Sequence, residues 1–420
     1  MVVLTGCIDL FALPNVSQSS DGQWLTVLIA DEQGAHTNLK AINLINGSTI
    51  PIGDSFDRQG AFDWHPTTQE IAYYNLSFDG VPSIKVTDIS SPDNFGIDLF
   101  GVFAFPRPFW ITQLAYSPDG NFMAMSTILF PDGTDLLNVD ISQVMTEATL
   151  YLADLSMGTV TAISTIGERF PSTLVWSSDS NNLAYTAWID SNGDGNPYGA
   201  DEMPSSFVYN LAAQNTLNIG DNTVSPTWLD TTHIAYIVYS IDPTSNTAST
   251  SIQSFDITDN TSQTLIPADN QFLYTAVAAS PDGSQLAILG TINQSSMILD
   301  ESFDIEQHQF QTESDHIFIA AADGTNIRDI YAPLLTEIRF LDVPVWSNDS
   351  STLYISNANP IGVGTASFSD TTTVEDIPQQ RIIAINLDAL DNLQSIYEGP
   401  MTSSGVPHLI AGFDTMSITE

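Results

Sequence analysis

The strongest case for chemistry in this chain is the run Asp190-Ser191-Asn192-Gly193-Asp194-Gly195-Asn196-Pro197-Tyr198-Gly199-Ala200-Asp201. Oxygen-bearing side chains at its first, third and fifth places, glycine at the sixth and a carboxylate at the twelfth are the spacing of a calcium loop. A hard cation needs several oxygens converging from one short segment, and the glycine permits the sharp bend that lets them converge. Asp190, Asn192, Asp194, Asn196 and Asp201 are the candidate ligands, with Asn196 contributing its main-chain carbonyl and Glu202 as a substitute for the short Asp201. Calcium here would be structural, tying down a long loop. The alternative is a hairpin tip rich in Asn, Asp and Gly that holds no ion.

Two further segments have chemical promise. Leu4-Thr5-Gly6-Cys7 has the Leu-x-Gly-Cys form of a bacterial lipobox, in which small residues give a peptidase access to the bond before a cysteine that becomes lipid-modified. Cys7 is the single cysteine, so no disulfide can form within the chain. The segment lacks the basic start and long apolar run of a secretory signal, and the expectation is a truncated signal over residues 1–7. Lipidation would place the protein outside the cytoplasm, in the periplasm or at the cell surface, attached to a membrane through acyl chains alone. The alternative is a free thiol buried in a first strand. The second segment, Phe103-Ala104-Phe105-Pro106-Arg107-Pro108-Phe109-Trp110, combines aromatic anchors with one of the few cations. Phe103, Phe105, Arg107, Phe109 and Trp110 have the side chains enriched in interface hot spots. A proline-stiffened connector whose rings fill the space between modules is the competing reading.

Charge narrows the partners. The 420 residues hold 50 acidic side chains against 8 lysines and arginines, a net charge of −42. The acid content is ordinary for the length, so the imbalance comes from missing cations. Such a surface cannot neutralise phosphates, which excludes nucleic acid and anionic headgroups as partners and favours cations and basic surfaces. No Gly-x-Ser-x-Gly elbow, His-Glu-x-x-His pair or phosphate loop occurs, and the six histidines show no metal-ligand spacing. The expectation drawn from that is a protein without enzyme activity.

The elements that must position these segments come from a repeat. Ser117-Pro118-Asp119-Gly120 returns as Ser280-Pro281-Asp282-Gly283, and weaker copies align on Asp21, Thr67, Asp179, Thr231 and Asp349. The steps are 46, 52, 60, 52, 51 and 67 residues, a period characteristic of propellers, solenoids and arrays. An aromatic residue often precedes the turn by three places (Trp64, Tyr116, Trp176, Trp228, Trp346), and a short apolar run such as Leu183-Ala184-Tyr185 follows it. Pro and Gly preset the reversal, so each copy reads as strand, tight turn, strand. A second signature, apolar-x-apolar-x-Asp/Asn, follows each copy, as in Leu150 to Asp154. Two hairpins per repeat make a four-stranded antiparallel sheet, which needs neighbours to cover both faces.

This Trp/Tyr-Ser-Pro-Asp-Gly-x-x-Leu-Ala pattern resembles the PD40 repeat of TolB-like β-propellers over residues 11–399, although no TolB-type α/β domain precedes it and Thr67 and Thr231 replace the turn Asp. The Asp190 loop is similar to that of dockerins. The fold class expected is all-β, a monomeric seven-bladed β-propeller of four-stranded antiparallel blades over residues 8–400. Residues 401–420 are read as a closing strand or a C-terminal tail. Strand alternation puts the second-to-third-strand loops on one face, and the longer ones, near 130–147, 190–205, 292–315 and 362–379, mark it as the binding face. The leading functional expectation is a lipid-anchored scaffold binding a protein, peptide or glycan there. A propeller hydrolase or lyase acting at the central channel, and a structural surface-layer component, are the alternatives.

Overall fold

The computed structural model describes residues 16–30, 37–53, 57–91, 97–99, 109–137, 147–164, 168–189, 203–242, 248–269, 271–292, 315–331, 340–341, 343–359, 379–390 and 393–400. Among these there is no α-helix. Blade 1 comprises β1 (Val16–Gln18), β2 (Trp24–Ala30), β3 (Thr37–Asn43) and β4 (Thr49–Ile52); blade 2 comprises β5 (Arg58–Trp64), β6 (Glu70–Leu76), β7 (Pro82–Asp88) and β8 (Ile97–Asp98). Blade 3 is β9 (Phe109–Tyr116), β10 (Phe122–Leu129), β11 (Glu147–Asp154) and β12 (Thr159–Ala162), and blade 4 is β13 (Glu168–Trp176), β14 (Asn182–Ile189), β15 (Met203–Asn210) and β16 (Asn215–Asp221). Blade 5 has β17 (Thr223–Trp228), β18 (His233–Ile241), β19 (Ala248–Asp256) and β20 (Thr261–Ile266); blade 6 has β21 (Phe272–Ala279), β22 (Gln285–Ile292), β23 (Asp315–Ala321) and β24 (Arg328–Tyr331). In blade 7 the first strand is split into β25 (Phe340–Leu341) and β26 (Val345–Trp346), both pairing with β27 (Thr352–Asn359), which is followed by β28 (Gln379–Asn386) and β29 (Leu393–Pro400).

Every blade is antiparallel and built from consecutive strands, so the seven sheets that the repeat predicts are present in chain order. Blades 1 to 4 belong to one compact unit and blades 5 to 7 to another. Within each unit the first strands of successive blades lie side by side: β5 beside β9, β9 beside β13, and β17 beside β21.

Burial explains the sequence pattern strand by strand. Second strands are largely apolar on both sides because both sides face a neighbouring sheet: β6 and β10 are buried nearly throughout. Outer strands such as β12 and β20 are mostly exposed and correspondingly more polar. The core is a series of layers between sheets. Leu39, Ile52, Trp64, Ile71 and Tyr73 fill the space between blades 1 and 2, and Leu150, Trp176, Leu183, Tyr185 and Phe207 that between blades 3 and 4. In the other unit Leu289, Ile317, Trp346, Leu353 and Ile385 do the same between blades 6 and 7.

The turn motif is held by its own side chains. Ser117 donates its hydroxyl to Asp119 (2.6 Å) and accepts the Phe122 N–H (2.9 Å), and Ser177, Ser280 and Ser347 repeat the arrangement. Where Thr replaces the Asp, a neighbour takes over: Asp230 accepts the N–H groups of Thr232 and His233, at 2.7 and 2.8 Å. Gly120 and Gly283 sit at φ near +70°, and a β-carbon on either would strike the preceding blade, at the His65 ring and the Leu229 carbonyl respectively.

Candidate functional site

Cys7, Phe103, Phe105, Arg107 and the whole Asp190, Asn192, Asp194, Asn196, Asp201 set lie outside the described residues. Phe109 and Trp110 open β9, and both are buried. The Trp110 ring meets Phe130 edge-on at 4.9 Å, and Tyr74 packs against Phe109 and donates its hydroxyl to the Phe109 carbonyl at 3.0 Å. The expectation that these two anchor a partner is corrected: they are core between blades 2 and 3.

What the described residues bring together on the second-to-third-strand side is a rigid turn. It joins β6 to β7 through Ser77-Phe78-Asp79-Gly80-Val81. Ser77 bonds Asp79 through its hydroxyl, its oxygen accepts the Val81 N–H at 3.0 Å, and its carbonyl accepts the Gly80 N–H at 2.8 Å. Gly80 supplies the φ of +80° that closes the turn. The Phe78 N–H is donated at 3.0 Å to Asp57, a buried carboxylate that also accepts from Asn75 at 2.9 Å and pairs with Lys85 at 3.4 Å. One of the chain's two lysines, Lys40 and Lys85, is thus spent on fixing this turn from beneath. Phe78 and Val81 nevertheless point to solvent, 78% and 56% exposed. Leu137, from the loop after β10, approaches Gly80: its side chain lies 3.7 Å from where a β-carbon on that glycine would sit. The signal was in the sequence, since an aromatic residue at the tip of an Asp-Gly turn between two apolar runs has no packing role inside its own sheet.

At the opposite end of blade 2 stands a second node. Asp63, near the end of the innermost strand β5, accepts the Tyr116 N–H of blade 3 at 2.8 Å, its neighbour Trp64 N–H at 2.9 Å and the Ser17 hydroxyl of blade 1 at 3.4 Å. Burial raises its carboxyl to about 6, against the pull of those hydrogen bonds toward the ionised form. Asp63 can therefore exchange a proton in mildly acidic solution. The same burial, then the nearby Asp63 and Glu70, raise the Tyr116 hydroxyl far above its ordinary value. The turn carboxylates go the other way: hydrogen bonds from Ser280, then Ser284, lower Asp282 to about 2. In blade 5, His233 lies between Asp230 (2.8 Å) and Asp256 (3.5 Å). Among the described residues no group of three or more His, Cys, Asp and Glu side chains is arranged to hold a metal ion.

No family model matches the chain. No characterised protein matches it by sequence. Among solved structures it is similar to the tricorn protease, at 11% identity and a TM-score of 0.57, over 92% of this chain and 35% of that one. It is also similar to an oligogalacturonate lyase from Vibrio parahaemolyticus (10%, 0.52, 81% of this chain and 84% of that one). A third likeness is to a puromycin-hydrolyzing peptidase from Mycobacterium tuberculosis (10%, 0.57, 92% and 54%). The chain thus spans about a third of the tricorn protease and about half of the peptidase. All three are enzymes by name, which corrects the expectation of a protein without enzyme activity: this fold is shared with catalysts, and a missing motif does not separate the chain from them. At these identities the likeness establishes the architecture, and the chain is a seven-bladed β-propeller.

Proposed function

We propose that the chain is a binding scaffold outside the cytoplasm, engaging a protein, peptide or glycan partner through the side of its blades where the β6–β7 turn and the β10–β11 loop lie. The observation that supports this is the Ser77–Val81 turn, whose backbone is braced by the buried Asp57 while its two large apolar side chains face water. Bracing a turn lowers the entropy lost when it is gripped, and exposed apolar side chains gain by being covered. A lipid on Cys7 would hold the scaffold at a membrane, and calcium in the Asp190 loop would stiffen the same side of blade 4. An acidic sugar polymer of the kind for which the neighbouring lyase is named suits this chain poorly, because a net charge of −42 repels carboxylates.

The test is to block one side at a time. In a Cys7→Ser background, a polyethylene glycol chain is attached at Asp132→Cys, on the loop side, or at Asn46→Cys, on the turn side. Capture of a partner from the native envelope fraction should be lost with the first and kept with the second. Loss with both, or with neither, removes the reading. Calcium should raise the melting temperature of the native chain and leave that of Asp190→Asn/Asp194→Asn unchanged; equal response of the two would eliminate the ion.

A further inference from the structure

We infer that Phe78, Val81 and Leu137 form the apolar centre of a docking surface whose occupant is a basic, apolar-bearing peptide segment of a partner protein. The inference rests on the scaffold reading and names the chemistry of its partner.

Three observations carry it. The first is proximity: a single exposed apolar side chain is ordinary on any protein, but here one turn carries two, and Leu137 of the next blade, half-buried against the blade 2–3 core, approaches the Gly80 that lies between them in the chain. Ile45 and Met157 are as exposed, yet each stands on a separate turn at the other end of its blade.

The second is charge. Asp79 lies between Phe78 and Val81, and the loop bearing Leu137 presents exposed Asp132 and Asp135. Asp135 accepts the Leu137 N–H at 3.1 Å, which keeps its carboxylate beside the patch. Lys85, beneath the turn, is paired with Asp57. Apolar surface rimmed by carboxylates is complementary to a segment in which leucine-like side chains alternate with lysine or arginine, and it repels an acidic one.

The third is preorganisation. The turn is braced internally by Ser77, from below by Asp57, and at its flank by Leu137, whose neighbour Leu136 is buried in the blade 2–3 core. Phe78 is therefore presented on fixed backbone, which lowers the cost of ordering it on binding.

The experiment uses the full chain and two short labelled peptides, one alternating Leu and Lys, the other alternating Ser and Lys, with binding read by fluorescence anisotropy at physiological ionic strength. Bulk attraction to an acidic protein treats the two alike; a docking patch does not. The native chain should bind the Leu/Lys peptide about tenfold or more tightly than the Ser/Lys peptide. Phe78→Ser/Val81→Ser should abolish that preference while its thermal unfolding stays native-like, since both side chains are exposed. Asp79→Asn/Asp132→Asn/Asp135→Asn keeps the acceptor oxygens of both loops and should weaken the Leu/Lys peptide several-fold with a shallower salt dependence. Equal binding of the two peptides by the native chain, or a preference that survives Phe78→Ser/Val81→Ser, overturns the inference. Either outcome leaves the scaffold reading standing if modification at Asp132→Cys still blocks capture.

Discussion

Two neighbouring blade junctions meet one geometric demand in different ways. Between blades 3 and 4, Trp176 donates its indole N–H to the Ala115 carbonyl at 3.1 Å. Between blades 2 and 3 the incoming aromatic residue is Tyr116, which has no such donor, and the bond forms instead between its backbone N–H and the side chain of Asp63. Asp63 and Ala115 hold the same place in the repeat, one residue before the aromatic position. The other unit repeats the pair. Trp346 donates to the Ala278 carbonyl at 3.0 Å, and where Ala279 stands in the aromatic position, its N–H goes to the Thr227 hydroxyl at 3.0 Å. Each of these four junctions has a hydrogen bond at the same place in the repeat. A main-chain acceptor serves where the next blade brings an indole, and a side-chain acceptor serves where it does not.

The sharpest way to break the first kind of junction is to remove its indole. Trp176→Ala and Trp346→Ala each delete a buried ring and should cost about 3–5 kcal/mol, read from denaturant midpoints. Trp176→Phe keeps most of the packing and strands the Ala115 carbonyl, so its cost should be about 1–3 kcal/mol. A loss below about 1 kcal/mol for the alanine variants would mean that these rings do not hold the blades together.

The second kind of junction should separate by pH. Asp63 has its proton affinity raised on folding, to about 6, so the folded chain binds this proton more tightly than the unfolded chain does. Its contribution is most favourable in acid and declines as pH rises from the unfolded value near 4 through about 6, a fall of up to about 3 kcal/mol. Asp63→Asn keeps an acceptor for Tyr116 and removes the titration. The stability difference between native and Asp63→Asn chains should therefore shift in favour of the variant across that window. A constant difference would show that the carboxyl does not titrate there. Thr227 has no proton to exchange: Thr227→Val should cost about 1–2 kcal/mol for the orphaned Ala279 N–H, equally at every pH, and Thr227→Ser should restore it.

The repeat made the number of blades, their four-strand plan and the inter-blade tryptophans legible, because tight turns and doubly buried strands leave short-range patterns. Its weaker copies were less legible. Ser180 and Ser350 look like decayed versions of Gly120 and Gly283, yet both take the left-handed backbone, and their hydroxyl oxygens accept the N–H groups of Asp119 and Asp282 in the preceding blades, at 3.0 and 3.2 Å. The glycine-to-serine change is a blade-to-blade tie, and it escapes a sequence reading because its partner lies 61 or 68 residues away. Gln59 escaped in the same way: it spans from blade 2 to blade 1, accepting from Leu39 and donating to Ile52. Asp57, Asn75 and Lys85 converge only through the register of blade 2, which no local spacing reveals. For Phe109 and Trp110 the sequence offered both a partner anchor and a filling between blades, and could not choose, since burial depends on the neighbouring sheet.

The smallest effect concerns the turns that flank these junctions, and it sharpens the contrast by having the opposite sign. Asp282 is lowered to about 2 by the Ser280 hydroxyl first, then by the Ser284 N–H and hydroxyl. A carboxylate depressed on folding contributes stability above its unfolded value near 4, and loses it as pH falls toward 2. Asp282→Asn should flatten the acid limb of the stability curve, where Asp63→Asn flattens the limb between 4 and 6. The turn is solvent-exposed, so screening keeps this contribution well below that of Asp63. If both variants altered the same pH range, the assignment of one titration to the inter-blade junction and the other to the turn would fail together.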